Sequence, residues 1–249
     1  MIISFNEVSA MVFRVYYGYG FDWTYILVII AAVISLIAQG LVSSTFSKYS
    51  KVGSLRGITG AQAAEMILRN NGITDVTIQH VSGNLTDHYH PTQKTLNLSD
   101  SVYNSTSVAA IGVAAHECGH AIQHAKGYAP LSIRSLLVPA ANIGSKLSWI
   151  FILLGLAFSF GYSSLLINIG IIMFSAAVLF QIVTLPVEFN ASSRALAQIE
   201  RIGILTPDET KQSKKVLSAA ALTYVAAAAS AILQLLRLII LFGGRRRND

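Results

Sequence analysis

Residues 23–42 carry no formal charge, and that stretch constrains the chain more than any other. A helix of about twenty residues matches the hydrocarbon core of a bilayer, about 30 Å thick. In lipid, a helix also satisfies its own backbone polar groups without water. Three further apolar runs follow at residues 147–162, 165–183 and 217–242, the first of them short for a span. The link Gly161-Tyr-Ser-Ser164 is too short to hold a domain, so the second and third runs are expected to form a transmembrane hairpin. Arg237 lies inside the fourth run and is expected to snorkel from near its end. Composition agrees, with 53% hydrophobic and 12% charged residues, about half the charge fraction of soluble domains. The expected architecture is a mainly α integral membrane protein with about four transmembrane helices. A small α+β domain lies between the first and the second.

The formal net charge is +6. Its basic residues are scattered and not interleaved with aromatics, which argues for a lipid bilayer and against nucleic acid as partner. Lys48, Lys51 and Arg56 follow the first run, whereas only Arg14 precedes it. The positive-inside rule then puts the N-terminus outside and the chain from Ser43 on the cytoplasmic side. Four spans would leave Arg245-Arg246-Arg247 outside, against that rule. Either the last run does not fully cross, or the inner charges outvote the tail. Residues 1–22 show no secretory-signal pattern, and no internal repeat is visible.

The chain divides into five segments: residues 1–43 with the first span, 44–146 as the α+β unit, 147–183 as the hairpin, 184–217 as a polar helical region, and 218–249 as the last apolar helix and basic tail. Within 44–146, Thr59-Gly-Ala-Gln62 has capping-box spacing, and Gly72 can end the helix after it. Residues 76–81 and 93–98 alternate like strands. The second of these strands is expected to be an exposed edge onto which a substrate could add. Ser105-Thr106-Ser107 offers N-cap oxygens for the next helix, and Gly127 offers a stop.

That next helix contains His116-Glu117-Cys118-Gly119-His120. Positions four apart stack on one helix face, so His116 and His120 can place two imidazoles on one ion. Glu117 can reach a water in the open position of a zinc-hydrolase site. Two unrelated histidines on a helix is the plainer alternative. Cys118 should point away from the ligand face. His124 continues the spacing but lies about 12 Å along the helix from His116, too far to share one ion. It is expected in the cleft wall, behind a ligand or on the surface. A hydrolytic zinc needs a third protein ligand. Glu188, Glu200, Asp208 and Glu209 all lie after the hairpin. Glu188 is the best placed, because the hairpin returns the chain to the side it left. Its plainer role is a carboxylate favoured by a helix N-terminus.

An H-E-x-x-H helix, a transmembrane hairpin and then Glu-Phe-x-Ala is an order similar to that of membrane gluzincins of the heat-shock-protease and CAAX-protease type. A closer resemblance is to the YugP-type family of neutral zinc membrane metallopeptidases. It is carried by Gly57-Ile-Thr-Gly-Ala61, Leu85-Thr-Asp-His-Tyr89, Ser107-Val-Ala-Ala-Ile111, Ala115-His-Glu-Cys-Gly-His-Ala-Ile-Gln123, Thr184-Leu-Pro-Val-Glu-Phe-Asn-Ala-Ser192 and Ala219-Ala-Ala-Leu-Thr-Tyr-Val-Ala226. The resemblance implies a multi-pass zinc peptidase of the bacterial plasma membrane with one Zn2+ per chain. Its ligands would be His116, His120 and Glu188, its base Glu117, and its substrate a peptide or membrane protein. A membrane-protein partner or homo-oligomer is left open. Two positions depart from the pattern: His90 stands where Asp is expected, and Ser192 replaces the Asp four residues after the third ligand. Asn190 is then a candidate to orient a zinc histidine. His88, Tyr89, Arg194 and Tyr224 are candidate oxyanion donors. Two other classes compete: a zinc-bearing but proteolytically silent scaffold for membrane proteins, and a transporter-like bundle. The scarcity of ionisable residues in the spans argues against the latter.

Overall fold

The computed structural model describes residues 22–157 and 163–243. The expectations for residues 1–21, for the first half of the hairpin link and for the basic tail lie outside them. In chain order the elements are α1 (Tyr25–Tyr49), α2 (Gly60–Asn70), β1 (Thr77–Val81), β2 (His88–His90), β3 (Thr95–Ser99), α3 (Val108–Ala125), α4 (Ala129–Ala157), α5 (Ser163–Ile202) and α6 (Pro207–Phe242). Helices α1, α4, α5 and α6 are long and apolar enough to cross a membrane. The protein is thus a mainly α membrane protein with a small sheet between its first and second long helices.

The 40 residues of α5 make a rod of about 60 Å, twice the hydrocarbon thickness. Its second half therefore continues into the polar unit. There Val187, Ala191, Ala195 and Ile199, spaced by four, form one fully buried stripe. Helix α6 does the same in reverse. It starts inside the polar unit with a capping box between Thr206 and Glu209, and buries Ser213, Val216 and Leu217 there. It then runs beside α1, where Ser230 Oγ donates to Ala31 O (3.3 Å) and lies 3.1 Å from Ser35 Oγ.

Residues 129–146, expected within the α+β unit, and the short second apolar run form one helix. Helix α4 passes straight through Pro139 and has 29 residues, about 44 Å, ample for a span. A proline costs one backbone bond in mid-helix. Close packing on α5 keeps α4 continuous: a Cβ on Gly144 would lie 2.5 Å from Met173 O, and one on Gly170 2.8 Å from Ser148 O. Small residues let two membrane helices touch backbone to backbone. The expected divisions after residues 146 and 183 therefore fall inside α4 and α5.

The sheet has the order β1-β3-β2, with β1 and β3 parallel and β2 and β3 antiparallel. This overturns the expectation that residues 93–98 form an exposed edge. Strand β3 is central and buried along its length, because Leu96 and Leu98 supply the apolar face that the sheet turns to α3. The edge nearest α3 is β2, which falls in the cluster Leu85-Thr-Asp-His-Tyr-His-Pro91, too short and polar to read as a strand. His90, at the departure from the family pattern, accepts the Gln93 N–H on Nδ1 (3.1 Å) and so closes the β2–β3 turn.

Helix α3 is buried nearly all round. Ser107 caps it by accepting Ala110 N–H (3.1 Å), and Gly127 in the left-handed region (φ +61°) ends it. Ile111, Ala115, Cys118 and Ile122 join Ile67, Leu68, Leu96, Leu98 and Ile199 in the core. Cys118 Sγ faces Ala64 O of α2, away from the histidines, as expected. Burial pushes its thiol well above the usual range. Gly119 faces the other way: a Cβ there would lie 2.4 Å from Ala191 O of α5.

Gly119→Ala should force α3 and α5 apart and cost at least about 3 kcal/mol, the upper range for overpacking. Cys118 supplies the readout. Maleimide should leave it unlabelled in the native wild type, label it on unfolding, and label the Gly119→Ala variant at markedly lower temperature. Equal labelling curves would refute the close-contact argument.

Candidate metal centre

On α3, positions 116, 119, 120 and 123 share one face, by the i, i+3, i+4, i+7 rule. That face meets α5. Gly119 allows the approach, and His116, His120 and Gln123 then stand opposite Glu188, Ser192 and Asn190. Glu188 Oε2 lies 3.2 Å from His116 Nε2 and 3.5 Å from His120 Nε2. The three donor atoms lie within 4.8 Å of one another. For bonds of about 2.0–2.1 Å to a tetrahedral zinc, neighbouring donors sit about 3.4 Å apart, so this set fits a zinc ion.

The hydrogen bonds behind the imidazoles leave the right atoms free. Arg194 Nε can only donate, so the atom it meets at 2.6 Å is Asn190 Oδ1. That oxygen also accepts from Gln123 Nε2 (3.0 Å), which donates as well to Val187 O (2.8 Å). Gln123 therefore turns Oε1 toward His120 Nδ1, 3.1 Å away. His120 Nδ1 must carry the proton, and Nε2 offers its lone pair to the site. Gln123 is fully buried, so this orientation has no solvent alternative. His116 Nδ1 lies 3.0 Å from Ser192 Oγ. Ser192 thus occupies the place of the missing Asp and contacts a histidine itself, while Asn190 acts one step removed, through Gln123. Burial disfavours a charged His120, but Glu188, Glu117 and Gln123 outweigh it and hold its pKa above the ordinary histidine value.

Glu117 is 8% exposed, and its Oε2 accepts the Tyr89 backbone N–H at 3.0 Å. That bond leaves the outer edge of β2, so this edge faces the centre. Asp87, just before β2, accepts from Ser99 N (2.8 Å) and Ser99 Oγ (2.9 Å). Burial raises its carboxyl pKa, the Ser99 bonds pull it down, and Glu117 adds to the rise. His116, Glu117 and Glu188 open onto a cavity of about 170 Å³, shared with Asp87, Tyr224 and an apolar wall that includes Val42, Val113 and Leu217.

Of the four residues expected to donate to an oxyanion, Tyr224 lines this cavity. His88 is engaged by Thr86 O (2.9 Å) and Asn97 Nδ2 (3.1 Å) and belongs to the sheet. Tyr89 contributes its backbone, while its hydroxyl meets exposed His124 at 2.8 Å. Arg194 lies over the Tyr128 ring, 5.6 Å from its centroid. Three residues went unread in the sequence. Gln123 was legible, on the same face two turns beyond His116 and one beyond His120. Asp87 sat in a motif without a strand to place it. Arg134 had no local signal, yet its Nη1 lies 3.2 Å from Glu188 Oε1.

Gln123→Leu removes the acceptor that holds His120 and should weaken zinc binding about 10- to 100-fold, the usual cost of losing the partner of a metal histidine. Chelator competition measures this, and unchanged affinity would remove Gln123 from the centre.

No solved structure matches the chain. A curated relative from Bacillus subtilis (strain 168), named "Putative membrane protease YugP", is 48% identical over 198 residues, covering 80% of this chain and 87% of that protein. A family model described as "Putative neutral zinc metallopeptidase" matches residues 24–243, nearly the whole length described above, and the chain belongs to that family.

Proposed function

We propose that the chain is a membrane-embedded, zinc-dependent endopeptidase of gluzincin type, with His116, His120 and Glu188 as metal ligands and Glu117 as general base. The observation that carries this reading is the convergence of two imidazole Nε2 atoms and one carboxylate oxygen, with a second carboxylate, Glu117, one residue from the first ligand. A zinc ion held by such a set would supply Lewis-acid activation of a water, lowering its pKa to about 7.

The remaining work falls to the chain. Glu117 takes the proton of the attacking water and passes it to the leaving amine. The Tyr89 N–H orients that carboxylate. The substrate backbone lies in the cavity beside β2, past the Tyr89–Glu117 contact. The Tyr224 hydroxyl, in the same cavity, donates to the developing oxyanion. The basic residues at the end of α1 and just after it, Lys48, Lys51 and Arg56, support a cytoplasmic position for this unit. The substrate is then a peptide or a membrane-protein segment presented at that surface.

Zinc content comes first: detergent-purified wild type should carry about one zinc per chain, and Glu188→Ala should lose most of it. Equal zinc in both would make Glu188 structural. Glu117→Gln should keep zinc and lose about 10²- to 10⁴-fold in peptide turnover; undiminished cleavage would end the mechanism. Tyr224→Phe should lower kcat about 10²-fold with little change in KM, and an unaltered kcat would remove it from the reaction. Zinc-loaded wild type that cleaves nothing in a broad peptide panel would favour the silent-scaffold alternative.

A further inference from the structure

Arg134 touches the third donor, and the proposed reaction does not use it. It sits near the start of α4, and its Nη1 lies 3.2 Å from Glu188 Oε1. Glu188 Oε2 is the oxygen turned to His116 and His120. The carboxylate is thus divided, one oxygen toward the imidazoles and the other toward a guanidinium. We propose that Arg134 is a positioning residue of the metal centre, holding one oxygen of Glu188 so that the carboxylate offers a single oxygen to the metal. This rests on the zinc-centre reading above.

The chemistry of the two groups supports the assignment. A carboxylate ligates through one oxygen or through both. A guanidinium carries only donors and stays charged at every working pH. It therefore cannot become a ligand, and it keeps lone pairs of Oε1 engaged. Glu188 is 2% exposed, so no water competes for that oxygen from bulk solvent. Two imidazoles and one carboxylate oxygen make three donors, the number that leaves a hydrolytic zinc its open position. With Oε1 released, the protein would supply four donors, and a water kept beside them would make the metal five-coordinate.

The alternative is an ion pair that only neutralises a buried carboxylate and ties α4 to α5. The two roles differ in what a variant does to the metal. Removing a positive charge near a dication does not weaken metal binding by Coulomb forces. Loss of positioning therefore changes coordination while metal is retained. Loss of a purely structural tie lowers stability and metal content together and leaves the coordination of any remaining metal unaltered.

The test replaces zinc with Co2+ in the full-length detergent-solubilised protein and reads the visible absorption, in which four-coordinate cobalt absorbs several-fold more strongly than five-coordinate cobalt, since geometry is diagnostic of the site. Expected is an intense band in the wild type, with about one cobalt per chain. Arg134→Met and Arg134→Gln should bind cobalt to the same stoichiometry with a band several-fold weaker. Arg134→Lys, keeping the charge and a donor, should recover most of it. A wild-type spectrum in the Met or Gln variant overturns the proposal. So does joint loss of cobalt and thermal stability in both of them. If the wild type takes up no cobalt, or Glu188→Ala keeps the full band, the zinc-centre reading has failed first and the proposal falls with it.

Discussion

The backbone contact between Gly119 on α3 and Ala191 on α5 is the constraint on which the centre depends. A Cβ at position 119 would lie 2.4 Å from the Ala191 carbonyl oxygen, so only glycine lets the two helices come this close. At that separation short side chains suffice. Ser192 reaches His116, and Gln123 reaches the α5 backbone at Val187 O. One helical turn on either side of the contact supplies every donor of the centre. The same contact needs α5 to outlast the bilayer, and its 40 residues do so. A helix stopping at the membrane surface near Thr184 would never present Glu188 to α3.

Charge is arranged around that contact with little exposure to solvent. Glu117 and Glu188 are both buried carboxylates, and an unpaired buried charge is costly. Glu188 is set against two imidazoles and Arg134, and Glu117 against the Tyr89 N–H. The chain Arg194–Asn190–Gln123–His120 fixes donor and acceptor at every step, because it starts from a group that can only donate. The atoms that could hold an ion are therefore oriented by the protein itself, in the way that surrounding hydrogen bonds commonly tune a metal site.

The small sheet serves the centre through its least conspicuous strand. Strand β3 builds the core with Leu96 and Leu98, and β2 needs only three residues to set Tyr89 N–H on Glu117. The reversal of roles has a simple cause. Strand assignment from alternation finds the strands that turn apolar side chains to the core, here β1 with Ile78 and β3 with Leu96 and Leu98. An edge strand beside a polar centre buries little and alternates poorly.

The sequence by itself determined the membrane class, the four long helices, the caps of α2 and α3, and the pairing of His116 with His120. Each of these follows from a local rule: run length against bilayer thickness, side-chain oxygens against orphan N–H groups, or a 3.6-residue repeat. Glu188 was legible as the best of four carboxylates because a hairpin returns the chain to the side it left. Only the tertiary structure decided that Ser192 serves His116 directly, that Asn190 works through Gln123, that Arg134 meets Glu188, and that His88 belongs to the sheet. These are contacts between elements tens of residues apart. They depend on helix rotation and on separations of a few ångströms set at Gly119, which no periodicity along one segment encodes.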